Sequence, residues 1–155
     1  MRPCAVIALV SLMGCSARSV FDFSLTGDVN ERVGSSGNVS GAIDNAGHLA
    51  LYDAEWDLTM SLGGIGVGSQ TVSAKAGELR IVKKGAGSDV FTTANGGTCT
   101  INIHPHESNN GSHVTGTFSC KDIVSDAGKR VSVTGGEFRT LIKDRANNPN
   151  FRPPA

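Results

Sequence analysis

The chain has 155 residues, with 14 basic and 14 acidic side chains, a formal net charge of zero with histidine neutral, and 39% hydrophobic residues. That length fits one ordinary domain with a real hydrophobic core. The balanced charge offers no basic patch to nucleic-acid phosphates, and no long run of one sign marks an acidic or basic partner; nucleic acid is therefore excluded from the expected partners.

The first fifteen residues contain Arg2, an apolar stretch from Cys4 to Val10, and then Leu12-Met13-Gly14-Cys15. The apolar stretch is about ten residues long, whereas a helix crossing the hydrocarbon core needs roughly 20. One positive charge, a short apolar core and a small residue before a processing point are the parts of a removable export signal. The ending resembles the lipobox of bacterial lipoprotein precursors. The resemblance implies a signal peptide over residues 1–14, a Cys15 that is diacylated and becomes the first mature residue, and attachment to the outer face of a bacterial membrane. Ser16 is neutral for retention, so in a cell with two membranes the sorting habit of these lipoproteins favours the outer one. Acyl chains suffice for anchoring, since two or more bind stably where one is marginal. Removing Arg2 with the leader leaves 13 basic side chains against 14 acidic ones.

After a short tether, residues 15–19, the chain reads as strands. Twenty glycines and short apolar alternations separated by turn residues argue for β structure over residues 20–143. Val20 to Leu25 is the first strand-like run. A pattern of apolar, hydroxyl, Gly, any, apolar then recurs at Leu25–Val29, Val39–Ile43, Val114–Phe118 and, with one inserted residue, Val133–Phe138. Glycine there permits a bend or close packing, Gly135-Gly136 suggests a β-bulge, and the copies are expected to be antiparallel neighbours in a curved sheet. Their irregular spacing argues against a solenoid or propeller.

Leu49 to Leu62 alternates most clearly. Tyr52, Trp56, Leu58 and Met60 share one parity and Asp53, Glu55 and Asp57 the other, which predicts one long strand with Trp56 and Tyr52 in the core. Carboxylates at alternate strand positions could hold Ca²⁺ or supply an acid and a base. A solvated face paired with Lys75, Arg80, Lys83 or Lys84 explains them fully. The Gly63–Gly68 run lacks the lysine and helix context of a phosphate-binding loop and reads as a bulged connection.

In an exported chain the remaining cysteines, Cys99 and Cys120, are expected to form a disulfide. They lack the CxxC-type spacing of a zinc site. Placing them opposite each other sets antiparallel partners to sum to 219, so that Ile101 faces Phe118 and Ile103 faces Gly116 on an apolar side. The other side pairs Thr100 with Ser119, Asn102 with Thr117, His104 with Thr115 and His106 with His113, around a Ser108–Gly111 turn. His104, His106 and His113 then share a solvent face, and neutral imidazoles within cross-strand reach could hold Zn, Cu or Ni. Pro105 threatens to distort that strand. Residues 144–155 read as an extended C-terminal tail.

No GxSxG, HExxH or CxxC motif stands in the chain, and no enzyme is expected. The fold expected is an all-β antiparallel sandwich or small barrel of about eight strands. The function expected is a lipid-anchored, non-enzymatic envelope protein with a structural or macromolecule-binding role toward an envelope protein or glycan. Alternatives are a small-ligand or metal carrier, and a periplasmic or surface inhibitor or phage-exclusion lipoprotein. No cofactor is expected beyond the covalent lipid on Cys15 and a metal on the three histidines.

Overall fold

A computed structural model describes residues 19–35, 39–85 and 87–143. The expected signal peptide over 1–14, the Cys15 lipidation site and the tail over 144–155 lie outside the described residues. The fold is nearly all β, an antiparallel sheet curled into a half-barrel. Its strands are β1 (Val20–Gly27), β2 (Glu31–Gly34), β3 (Ser40–Ile43), β4 (His48–Tyr52), β5 (Trp56–Ser61), β6 (Gly68–Ser73), β7 (Glu78–Lys83), β8 (Asp89–Thr92), β9 (Thr98–Ile103), β10 (His113–Ser125) and β11 (Arg130–Leu141). A 3-10 turn, Thr93–Asn95, joins β8 to β9, with the Thr92 hydroxyl accepting the Ala94 N–H at its start.

The strands run in the order β2-β1-β11-β10-β8-β7-β5-β4-β3, with β9 and then β6 branching from β10. β10 is long enough to serve two partners. Residues Gly116 to Lys121 pair with β9, while Val124 and Ser125 pair with β8. The change of partner falls at a register shift between Cys120 and Ile123, where Asp122 adopts φ 56°, the rare left-handed region that Asp tolerates better than most residues. The short strand β3 curls round to the other end of the sheet through a Ser19–Val39 bridge, an Ile43–Ile142 bridge and a Lys143 N–H bond to the Ile43 carbonyl.

Alternation explains the interior. Phe21, Phe23 and Leu25 of β1, Trp56, Leu58 and Met60 of β5, Leu79 and Ile81 of β7, and Ile101 and Ile103 of β9 all point inward and are buried. Phe23 meets Trp56 edge-on at 6.0 Å and Phe118 at 5.8 Å. Aromatic side chains from three separate strands thus converge on one point.

Two of the recurrent glycine patterns are neighbours, as expected, and their pairing gives them a purpose. Gly116 lies opposite Phe138 and Gly136 opposite Phe118, and a Cβ on either glycine would overlap the facing phenyl ring. Each ring lies over the bare backbone of the opposing glycine. The inserted residue of the second pattern is a β-bulge: Gly136 pairs with Phe118 but Val133 with Cys120, one residue out of step, and Gly135 has φ 60°.

The single strand expected from Leu49 to Leu62 is two strands. Asp53 ends the first, its Oδ1 accepting the N–H groups of Glu55 at 2.8 Å and Trp56 at 2.7 Å, while its own N–H bonds to the Trp56 carbonyl. A short Asp-initiated turn competes well with a continued strand. In β4 the core positions are therefore Leu49 and Leu51, and Tyr52 is half-buried beside Asp57 rather than a core anchor. The same turn, together with the four-residue strands β2, β3 and β8, raises the strand number to eleven from the eight or so expected.

Asp89 of β8 sits against the turn between β10 and β11, accepting a 2.8 Å bond from Lys129 Nζ. Burial alone would raise its pKa, but the bonds from Lys129, Ser125 and the Val90 N–H outweigh burial and hold the carboxyl below the usual range. A depressed folded pKa contributes stability above the unfolded value of about 4 and loses it as pH falls through the folded value. Asp89→Asn is therefore expected to cost about 1 kcal/mol at neutral pH and to flatten the acid side of the stability profile, read by urea unfolding at several pH values. An unchanged acid limb would refute the assignment.

Candidate functional site

The β9–β10 hairpin carries most of the expected site residues. Cys99 and Cys120 form a disulfide between directly opposed positions, with Cα atoms 4.0 Å apart. The register is the one that sums to 219, from Cys99–Cys120 through Ile101–Phe118 to Ile103–Gly116. The His104 N–H bond to the Thr115 carbonyl carries it one step past the end of β9. There the ladder stops: Pro105 follows, and its ring holds φ at about −65°, away from the extended strand value.

That stop rearranges the histidines. His104 turns its Nδ1 to the Thr115 hydroxyl at 3.3 Å, and His106 folds back so that its Nδ1 meets the His104 carbonyl at 2.9 Å. His113 stays on β10 and pairs with Leu141 of β11. The tip turn closes at Asn109 to Ser112 instead of Ser108 to Gly111, tied down by Gly111 N–H to the Ile142 carbonyl. Among the described residues no group of three or more His, Cys, Asp or Glu side chains is arranged to hold a metal ion, so the three-histidine ligand set does not assemble. Burial, and second the charge of Arg139, lower the pKa of His113 and favour its neutral ring. The Nε2 atoms of His106 and His113 are both shielded from solvent with no hydrogen-bond partner among the described residues.

The acidic row is dispersed. Asp53 caps its turn, Glu55 is exposed, and Asp57 pairs with Lys84 at 2.7 Å, one of the expected lysines. A different carboxylate is buried: Asp44, in the turn before β4, receives the His48 N–H at 2.9 Å and meets His48 Nδ1 at 3.0 Å. Ser61 lies opposite His48, which puts Asp, His and Ser in order. No hydrogen bond joins Ser61 to His48 among the described residues, so the nucleophile–base contact that catalysis requires is not made. Sequence reasoning missed this trio because its members share no motif.

The second feature it missed is a whole face. Opposite the disulfide and the core, β6, β9 and β10 present Ser69 and Thr71, then Thr98, Thr100 and Asn102, then Thr117 and Ser119. These side chains alternate with buried Val72, Cys99, Ile101, Phe118 and Cys120. At the β11 bulge the face dips into a shallow groove of about 270 Å³ lined by Thr100, Asn102, Thr117, Ser119, Gly135 and Glu137. Thr and Asn alternating with apolar residues were visible on β9 and β10; the extension onto β6 needed the fold.

No family model, curated protein or solved structure matches the chain.

Proposed function

We propose that this chain is a lipid-anchored protein of the bacterial envelope with a non-enzymatic, macromolecule-binding role, held by Cys15 and offering the outer face of β6, β9 and β10 to an envelope protein or glycan. One observation carries the binding role. The face from Ser69 to Ser119 is made mainly of neutral hydroxyl and amide groups, with Lys121 beside Thr98 and Glu137 at the edge of the groove, and the neutral side chains make no hydrogen bond to one another or to other described residues. Their donors and acceptors are free for a partner. The Cys99–Cys120 bond lies directly beneath the face, and holding the surface in one shape lowers the ordering cost of binding. The disulfide also suits an oxidising compartment, and the lipobox-like Leu12-Met13-Gly14-Cys15 supplies the address.

Two linked measurements test the reading. Cells fed an alkyne-labelled fatty acid are expected to label the wild-type chain and not Cys15→Ser; equal labelling of both removes the anchor. Cross-linking in intact envelope is expected to capture a partner from wild type and to lose it with Thr100→Lys/Ser119→Lys, two exposed positions outside the core. Capture that ignores those changes moves the binding surface elsewhere.

A further inference from the structure

The end of the half-barrel at which β1 begins differs from the rest of the surface. Phe21, Phe138, Gly116, Ile103 and Gly68 form one row across β1, β11, β10, β9 and β6. One position outward, the two flanks of that row are Val20 and Val67, 44% and 61% exposed, about 19 Å apart along the sheet at the usual strand spacing. They are the large apolar side chains that the described residues leave exposed. Farther out, β11 runs on to Leu141, and the hairpin tip is tied beside it by the Gly111 N–H bond to the Ile142 carbonyl. The tip exposes uncharged residues from Ser108 to Gly111, with Glu107 and Lys143 as the exposed charges beside them. The opposite end of β1, β10 and β11 is ionic instead, with Asp28, Asp126, Lys129 and Arg130 all exposed.

Chain length decides what lies against this end. Ser19 is fixed to the domain by its hydroxyl contact to Thr140 at 2.8 Å and its bridge to Val39. Cys15 precedes it by four positions, a reach of at most about 14 Å when fully extended. β11, antiparallel to β1, continues past Ser19, and Ile142, where the tip is tied, lies about 7 Å beyond Thr140 along the strand. With the strands upright, the gap between the tip and an acyl chain entering at Cys15 is then about 7 Å at most, close to the thickness of one phospholipid headgroup layer. Gly27, at the far end of β1, lies about 26 Å back from Ser19, out of that reach.

We propose that the short tether seats this end of the domain in the headgroup layer of the bilayer that holds Cys15, with the hairpin tip among the phosphates and Val20 and Val67 at the margins of the contact. The seating rests on the reading of Cys15 as the lipid anchor. Val20, Val67 and Lys143 are too little to hold a protein on a membrane alone, since even one myristoyl chain gives only marginal binding. Joined to the bilayer by a few residues they need not do so, because the contact is then intramolecular and favoured by a high effective concentration. The chemistry of the tip suits that layer: its Ser and Asn side chains hydrogen-bond phosphate and ester oxygens, and Lys143 offsets Glu107 before the anionic surface. So seated, the outer face of β6, β9 and β10 stands along the membrane normal, and its partner is one that lies beside the domain at the same membrane.

The test uses the acylated protein purified from cells and reconstituted in vesicles of phosphatidylethanolamine and phosphatidylglycerol, a fraction of the lipid carrying a nitroxide on its headgroup. A fluorophore is attached through Asn110→Cys, Val67→Cys or Ala127→Cys, all at exposed positions, and melting curves verify that each variant folds. Fluorescence is expected to be lost at positions 110 and 67 and kept at 127. A Gly/Ser insert of about 12 residues after Ser16, adding up to ~40 Å of reach, is expected to restore the signal at position 110. Flotation of the vesicles scores the anchor separately. Protein that floats but is quenched equally at all three positions, or at none, or in a way the insert does not relieve, overturns the seating and leaves the anchor standing. Protein that does not float removes the anchor, and the seating with it.

Discussion

Phe23→Ala is expected to destabilise the protein by about 3–5 kcal/mol, the range for emptying a phenyl-sized space in a core that cannot collapse around it. Phe23 has no exposed surface. Its ring stacks on Phe21 at 6.1 Å, meets Trp56 edge-on and lies against Phe118, so it joins β1 to β5 on one side and β10 on the other. Total stabilities of 5–15 kcal/mol are usual, and the variant should lose a large share of its own. Urea unfolding gives the energy. Near-ultraviolet circular dichroism should lose the Trp56 signal in parallel, because that ring's fixed neighbour is gone. Phe23→Leu should cost far less, under about 1.5 kcal/mol with repacking. A loss below 1 kcal/mol for alanine would mean that the aromatic cluster does not bind the two sides of the half-barrel together.

Removing the Cys99–Cys120 bond is the second large effect. The cysteines are 21 positions apart, and the loss of loop-closure entropy from the unfolded chain corresponds to about 3 kcal/mol. For a domain of this size the melting temperature should fall by about 10 °C. Cys99→Ala, Cys120→Ala and the double variant should be nearly equal, because one substitution already opens the loop. Both side chains are buried, so alanine avoids leaving a buried hydroxyl without a partner. Calorimetry with and without reductant checks the same point on the wild type. Variant melting points equal to that of the oxidised wild type would refute a stabilising bridge.

The hairpin between these cysteines was legible because three local signals agreed: alternation, turn residues and a covalent pair that fixes register. Its tip was less so. The pairing rule extends to His106 and His113 on paper, but Pro105 fixes the backbone out of the extended conformation where the ladder would continue, and the strand ends at Ile103. Leu49 to Leu62 misled for the opposite reason, as the polar turn residues Asp53 and Glu55 happen to fall on the parity of a solvent face. The reciprocal Gly116–Phe138 and Gly136–Phe118 pairs were half visible as a repeated pattern. Nothing local could show that β1 pairs with β11, or that β6 lies beside β9, since those contacts join distant parts of the chain.

The pairing of Val20 with Arg139 and of Gly27 with Val131 has a consequence for how the protein comes into being. During synthesis, at about 5–20 residues per second, Phe21 and Phe23 emerge early, but the strand that carries their ladder is the last to appear. On one edge β1 can pair only with the four residues of β2, too little for an isolated hairpin to persist. The β1 end of the sheet thus closes only once β11, the last described strand, has been made, the slow regime of sequence-distant pairing.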